Sequence, residues 1–178
     1  IDDCVFTNNK ANVTNSKGGA VYLSNNDIAL NGCDFISNTA YYGGALYLDS
    51  CTGTDITDST FSNNKATAIN SDGGAIVIES SPTNIYSCEF DGNSAITGGA
   101  IHIKSTNSPT VTIDKSKFTN NKATRFTDNG DYCDGGAIRW DSTGGVLNNS
   151  IFINNVADGY AGAICWDSTT DFNTANSS

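Results

Sequence analysis

The sequence has no methionine, only two prolines and a single histidine, His102. It has no apolar run of about 18 residues, the length a membrane-crossing helix needs. No signal-peptide pattern opens the chain at Ile1. The expectation is therefore an excised piece of a longer, processed protein, whose anchor lies elsewhere and which is not itself membrane-inserted. Basic residues are scarce: nine Lys and Arg stand against nineteen Asp and Glu, a formal net charge of −10. That balance argues against binding a phosphate backbone, so no nucleic-acid partner is expected. It would also repel anionic membranes and polysaccharides unless cations bridge them. No Cys-x-x-Cys pair occurs, and one histidine cannot complete a zinc site of that spacing. No stretch shows the 3.6-residue apolar period of a helix.

What fills the chain instead is Asn, Ser, Thr, Asp and Gly, with six cysteines. Turn-forming residues in that density suit a repetitive β architecture. The cysteines point to an extracytoplasmic compartment.

Two phrases recur. The first is Phe-x-x-Asn-x-Ala, at Phe6, Phe35, Phe61, Phe90, Phe118 and Phe152, with steps of 29, 26, 29, 28 and 34 residues. The second is Gly-Gly-Ala followed by Ile, Leu or Val, at Gly18–Val21, Gly43–Leu46, Gly73–Ile76, Gly98–Ile101 and Gly135–Ile138, with Ala161 replacing the first Gly of a sixth copy. Each Gly-Gly-Ala opens a period-two apolar pattern such as Leu46/Leu48 or Ile76/Ile78, which reads as a strand with one buried face. A second apolar set follows (Ile28/Leu30, Ile56, Ile85, Val111/Ile113, Val146), then a small residue or thiol two positions before each Phe. Six hairpins or a sandwich would also permit period two. Constant offsets and aligned columns favour a solenoid: an all-β, right-handed parallel β-helix of about six coils, three short strands per coil, spanning 1–178 as one segment. Gly-Gly is expected to make a sharp turn, Ala to fit a close backbone approach, and the Asn column to bond coil to coil while tolerating left-handed geometry, as do the residues just before it.

Paired FxxN and GGA[ILV] phrases resemble the polymorphic outer-membrane protein repeats of chlamydiae and the adhesin-like surface proteins of gut methanogenic archaea. The resemblance runs along nearly the whole chain, and the composition looks more like the archaeal group. It implies an extracellular, cell-surface β-helix that mediates or supports attachment to a protein or glycan of a host or partner cell. Two alternatives remain: a carbohydrate-active enzyme of the lyase or hydrolase kind on the same fold, and a ligand-free stalk.

Candidate sites follow from the columns. Between the Ala of one phrase and the Gly-Gly of the next lie loops of six, two, six, two, eleven and three residues, which leave one corner and should line one edge. Tyr41, Tyr42, Phe126, Tyr132 and Tyr160 sit there, and aromatics on an edge can stack on sugars or anchor a partner. The strand after Gly-Gly-Ala carries an outward column ending in His102, Arg139 and Cys165, read as a solvated face with an ordinary surface histidine. Asp141 and Asp167 fall in neighbouring coils, where paired carboxylates would raise one another's pKa or share a Ca2+. Otherwise no cofactor and no catalytic residue is expected, and the chain is read as a non-enzyme. Trp140 and Trp166 should fill a widened core. Cys4, Cys33 and Cys88 read as thiol fillers of the column before Phe. Cys133, in the longest loop, and Cys165, on the next coil, are placed to form a disulfide. Asn12, Asn148 and Asn176 open glycosylation sequons, of which Asn12 is the most accessible.

Overall fold

The computed structural model describes residues 1–104, 110–124, 134–141 and 144–167. Among them every regular element is a β-strand, and every strand pair is parallel. The strands stack into four sheets. The first holds Val5–Thr7, Asp34–Ile36, Thr60–Ser62, Glu89–Asp91, Lys117–Thr119 and Ile151–Ile153. The second is a ladder of two-residue strands: Thr39–Ala40, Lys65–Ala66, Ser94–Ala95, Lys122–Ala123 and Val156–Ala157. The third, opened by Gly-Gly-Ala, holds Val21–Ser24, Leu46–Asp49, Ile76–Glu79, Ile101–Lys104, Ile138–Asp141 and Ile164–Trp166. The fourth holds Asp27–Asn31, Gly53–Thr57, Thr83–Tyr86, Val111–Asp114 and Val146–Asn148. The result is a parallel β-helix of about five turns. The expected strands form three of the sheets, and the two-residue ladder is an addition, too short for any period to reveal.

Register is exact along the columns. Phe6, Phe35, Phe61, Phe90, Phe118 and Phe152 pair in turn. Their rings stack at 4.7–4.9 Å and within 8° of parallel. That spacing is the distance between neighbouring strands, so the backbone sets the aromatic stack. In the fourth sheet Leu30, Ile56, Ile85 and Ile113 point inward, and the fifth member is Leu147. The expected Val146 lies opposite Thr112 on the outer face instead. A second inward column runs Ile28, Thr54, Thr83, Val111. Its two threonines are buried, and hydroxyls hide them from a search for apolar alternation.

The corners follow one half of the sequence expectation and not the other. The left-handed residue is the one before each column Asn: Asn8, Ser37, Asn63, Gly92, Asn120 and Asn154 all have φ between 55° and 65°. The column Asn itself is not left-handed, because its side chain has another task. Asn64 shows it. Its Oδ1 accepts both the backbone N–H and a side-chain N–H of Asn38, at 2.9 and 3.0 Å. Its own amide donates to Phe35 O (2.9 Å) and to Asn93 Oδ1 (3.0 Å). The ladder repeats from Asn9 to Asn155. Four of its members are fully buried, with their polar atoms satisfied inside the protein.

The two glycines divide their work. Gly73 has φ +56°, the turn into the third sheet. Gly74 has an ordinary φ, but a Cβ there would overlap the carbonyl oxygen of Gly99 and sit 2.5 Å from Ser94 N. The second glycine thus sits where backbone approaches too closely for any Cβ. The alanines of this phrase, such as Ala45 and Ala75, pack into the core. In the sixth copy Ala161 takes the left-handed position itself, at φ 60°, a conformation that costs an L-residue about 1 kcal/mol.

Candidate functional site: the outer face of the third sheet

Outward positions of the third sheet form two columns: Tyr22, Tyr47, Val77, His102, Arg139, Cys165, and beside it Ser24, Asp49, Glu79, Lys104, Asp141. This face is not the solvated surface expected. Tyr47, Val77 and His102 are all buried. Loop residues immediately before the Gly-Gly lean across it. Lys17 ends the first long loop and Asp72 the second, each paired in register with the next coil, at Tyr42 and Thr97.

Lys17 Nζ lies 2.9 Å from Asp49 and 3.4 Å from Glu79, and 4.4 Å from the Tyr47 ring centre. Tyr22 donates to Asp49 at 2.9 Å, and Tyr47 donates to Glu79. Burial, then the Glu79 carboxylate, push the Tyr47 phenol far above its ordinary value. Burial disfavours the Lys17 charge, yet the two carboxylates outweigh it and hold its pKa up.

His102 is the centre of the second cluster. Its Nδ1 is 3.0 Å from Asp72 Oδ1 and its Nε2 is 2.9 Å from Asp141 Oδ2. Asp72 also pairs with Lys104. Asp141 accepts from Arg139 Nε at 2.7 and 2.8 Å. Burial alone would raise the Asp72 pKa, but His102 and Lys104 overcome it and hold the carboxyl well below its usual range. Asp141 likewise is lowered despite burial, by His102 and Arg139. The surface-histidine reading is thereby corrected: the position faces outward, but the Asp72 loop roofs it. The expected rise of the Asp141 pKa is corrected as well. Arg139 pairs with Asp141 and has its Nη2 3.8 Å from the exposed Asp167 carboxylate. Among the described residues no group of three or more His, Cys, Asp or Glu side chains is arranged to hold a metal.

The other candidates fall as follows. Tyr41 and Tyr42 are half-buried at the loop edge, and Tyr160 is exposed there. Phe126, Tyr132 and Cys133 lie outside the described residues. Cys165 is disulfide-bonded. Cys33, Cys51 and Cys88 are buried free thiols, and Cys4 is a half-buried one. Burial pushes the Cys88 thiol up to about 11. The column before Phe takes Ser or Cys for a reason beyond size: Ser59 Oγ accepts the Cys33 backbone N–H at 3.0 Å, and Ser116 Oγ accepts that of Cys88 at 3.2 Å. Trp140 is fully buried, while Trp166, its register partner on the last coil, is 37% exposed. Asn12 is exposed.

Sequence reasoning missed the Asp72 clasp. The available signal was the last loop residue, where Lys17 and Asp72 occupy equivalent places with opposite sign.

With the stacked coils, their turns and this outer face described, comparison with known proteins decides the family. The chain matches the right handed beta helix region family over residues 1–178. It belongs to that family. The handedness of the β-helix is therefore right, as its parallel crossovers require. No curated protein and no solved structure matches the chain significantly.

Proposed function

We propose that this right-handed β-helix is a non-enzymatic segment of an extracellular, cell-surface adhesin, of the kind built from polymorphic outer-membrane protein repeats in archaeal adhesin-like proteins. Its partner is a protein or glycan on a host or partner cell. The observation that carries the reading is the closed charge network of the third sheet. On a β-helix enzyme this strand face would present free carboxylates or bases to a substrate. Here Asp49, Glu79, Asp72 and Asp141 are each held by a cation or a phenol from another coil or the same strand. His102 is 95% covered, between two of them. Such a network stabilises a rod and leaves recognition to the loop edge, where Tyr41, Tyr42 and Tyr160 stand.

The test is attachment of the folded chain to whole cells and to a glycan array, beside a variant with its long loops cut to two residues. Attachment lost with the loops supports an adhesive edge. Undiminished attachment by the shortened form moves recognition off the edge. Release of reducing or unsaturated sugar ends from any glycan in the panel overturns the non-enzymatic reading.

A further inference from the structure

The loops alternate long, short, long, short, long along the first five coils, and charge alternates with them. Outward residues of the second sheet run Lys10, Thr39, Lys65, Ser94, Lys122, Val156, coil by coil. A lysine stands in each long-loop coil and a hydroxyl in each short-loop coil between them. All three lysines are exposed, and none makes an ion pair among the described residues. By contrast Lys17, Lys104, Lys117 and Arg139 each meet a carboxylate, and Lys115 donates to Tyr86. A protein of net charge −10 thus keeps three unpaired cations in one file.

The file borders a recess. Ser71, in the second long loop, accepts the Ile96 N–H on its hydroxyl and the Thr97 N–H on its carbonyl, both at 3.0 Å. Ser16 does the same for Tyr41 and Tyr42, at 3.1 and 3.0 Å. Each short loop is therefore pinned behind a long one. Over the fourth coil this leaves a groove of about 330 Å³ with Lys65 and Lys122 on its border, Ile96 and Ala68 as apolar wall, and the Ser94 and Thr124 hydroxyls. Tyr41 holds the sequence position equivalent to Ile96 on the second coil, whose Thr39 pairs with Lys10 and Lys65.

We propose that this file is the docking track for a linear anionic polysaccharide with one acidic group per disaccharide. Successive lysines are two coils apart, about 9.6 Å, close to the length of an extended disaccharide. An extended strand returns a side chain to the same face every two residues, about 6.8 Å, and duplex phosphates come at about 1.7 Å of axis, so neither repeat matches the file. The Tyr41 ring and Ile96 offer apolar surface to sugar faces, and the hydroxyls between lysines meet the neutral sugar. The track ends after Lys122, where Val156 and the exposed Asp158 follow. Bulk charge opposes any anion at long range. At physiological salt, however, charges beyond about 8 Å are largely screened, and the contacting lysines dominate. The inference rests on the attachment reading for its ligand class.

The probes are hyaluronan, with one carboxylate per disaccharide, polygalacturonate, with one per sugar, neutral dextran and polyglutamate. Two charge-matched variants are compared: Lys65→Ser/Lys122→Ser on the track, and Lys115→Ser/Lys117→Ser off it. Hyaluronan binding should weaken about fivefold or more in the first, the loss expected for two exposed ion pairs, and stay within twofold in the second, with equal thermal melting in both. Absence of hyaluronan binding, equal loss in both variants, or tighter binding of polyglutamate overturns the track. Whole-cell attachment separates this from the broader reading: cells held by a protein that ignores hyaluronan sink the track alone, and hyaluronan bound without cells sinks attachment alone.

Discussion

Asp72, His102 and Asp141 come from three successive coils, and the histidine ties them together through both ring nitrogens. Replacing Asp72 with Asn leaves the buried His102 and the part-exposed Lys104 facing a neutral group. The expected cost is about 2–3 kcal/mol in urea unfolding. The same residues set an acid limit. The Asp72 and Asp141 carboxyls are held below their unfolded value of about 4, so the native state favours their ionised form. Their contribution is complete above that value and is lost as pH falls through the folded values. The urea midpoint should therefore drop between pH 5 and pH 2 (about 3 units of titration), and Asp72→Asn should flatten that drop. The thiols make a separate test. Of Cys4, Cys33, Cys51 and Cys88, a disulfide reagent at pH 8 (about half a unit below an ordinary thiol) should label Cys4 alone in the folded protein. The other three are buried, and Cys88 is also pushed up to about 11. They should react only after unfolding. Rapid labelling of Cys88 would contradict its burial.

At the level of the coil, two repeated devices hold one strand over the next. Asn64→Ala would remove the acceptor of two Asn38 donors and the donor to Phe35 O and Asn93 Oδ1. An expected loss of about 3 kcal/mol follows from buried partners left unmatched; Asn9→Ala, at the exposed first coil, should cost less than half as much. Gly74→Ala should prevent stable folding, since backbone from two neighbouring segments occupies the space of the new methyl. A well-folded Gly74→Ala protein, by circular dichroism and cooperative melting, would show that the coils can separate locally. These devices were legible because they recur: a column of Asn or Gly-Gly at fixed offset has a stacked meaning that a single copy lacks. What escaped was the division of labour within each phrase. The left-handed φ falls on the residue ahead of the Asn and not on the Asn as well, and the contact that admits no Cβ falls on the second Gly. Repetition fixes offsets without saying which member of a phrase meets which constraint. The buried Thr54 and Thr83 escaped because both sit inward in fourth-sheet strands with a hydroxyl in place of an apolar tip: Thr83 donates to Ser81 O at 3.0 Å, while Thr54 Oγ1 meets no partner among the described residues.

Over the whole molecule, the β-helix was readable from six pairs of phrases in register, whereas the third sheet's outer face was not. Its residues vary from coil to coil, and the side chains that cover it come from loops with no fixed length. A surface histidine and a buried ion-paired one look alike in sequence when Asp72 lies thirty residues away in the chain and one coil away in space. The stacking itself has a mechanical corollary. Hydrogen bonds of the sheets run along the rod, from coil to coil, so a pull on its two ends loads them lengthwise. Within one boundary the ladders share that load side by side, while successive boundaries carry it one after another, like links in a chain. The weakest link then sets the breaking force. That link is expected at the boundary between the fifth and sixth coils, where Ala161 is held in a left-handed turn and Trp166 is part-exposed. Under tension the rod should part there first and leave the inner coils intact. Single-molecule pulling that instead shows all the coils yielding in one step would mean the boundaries are mechanically equivalent.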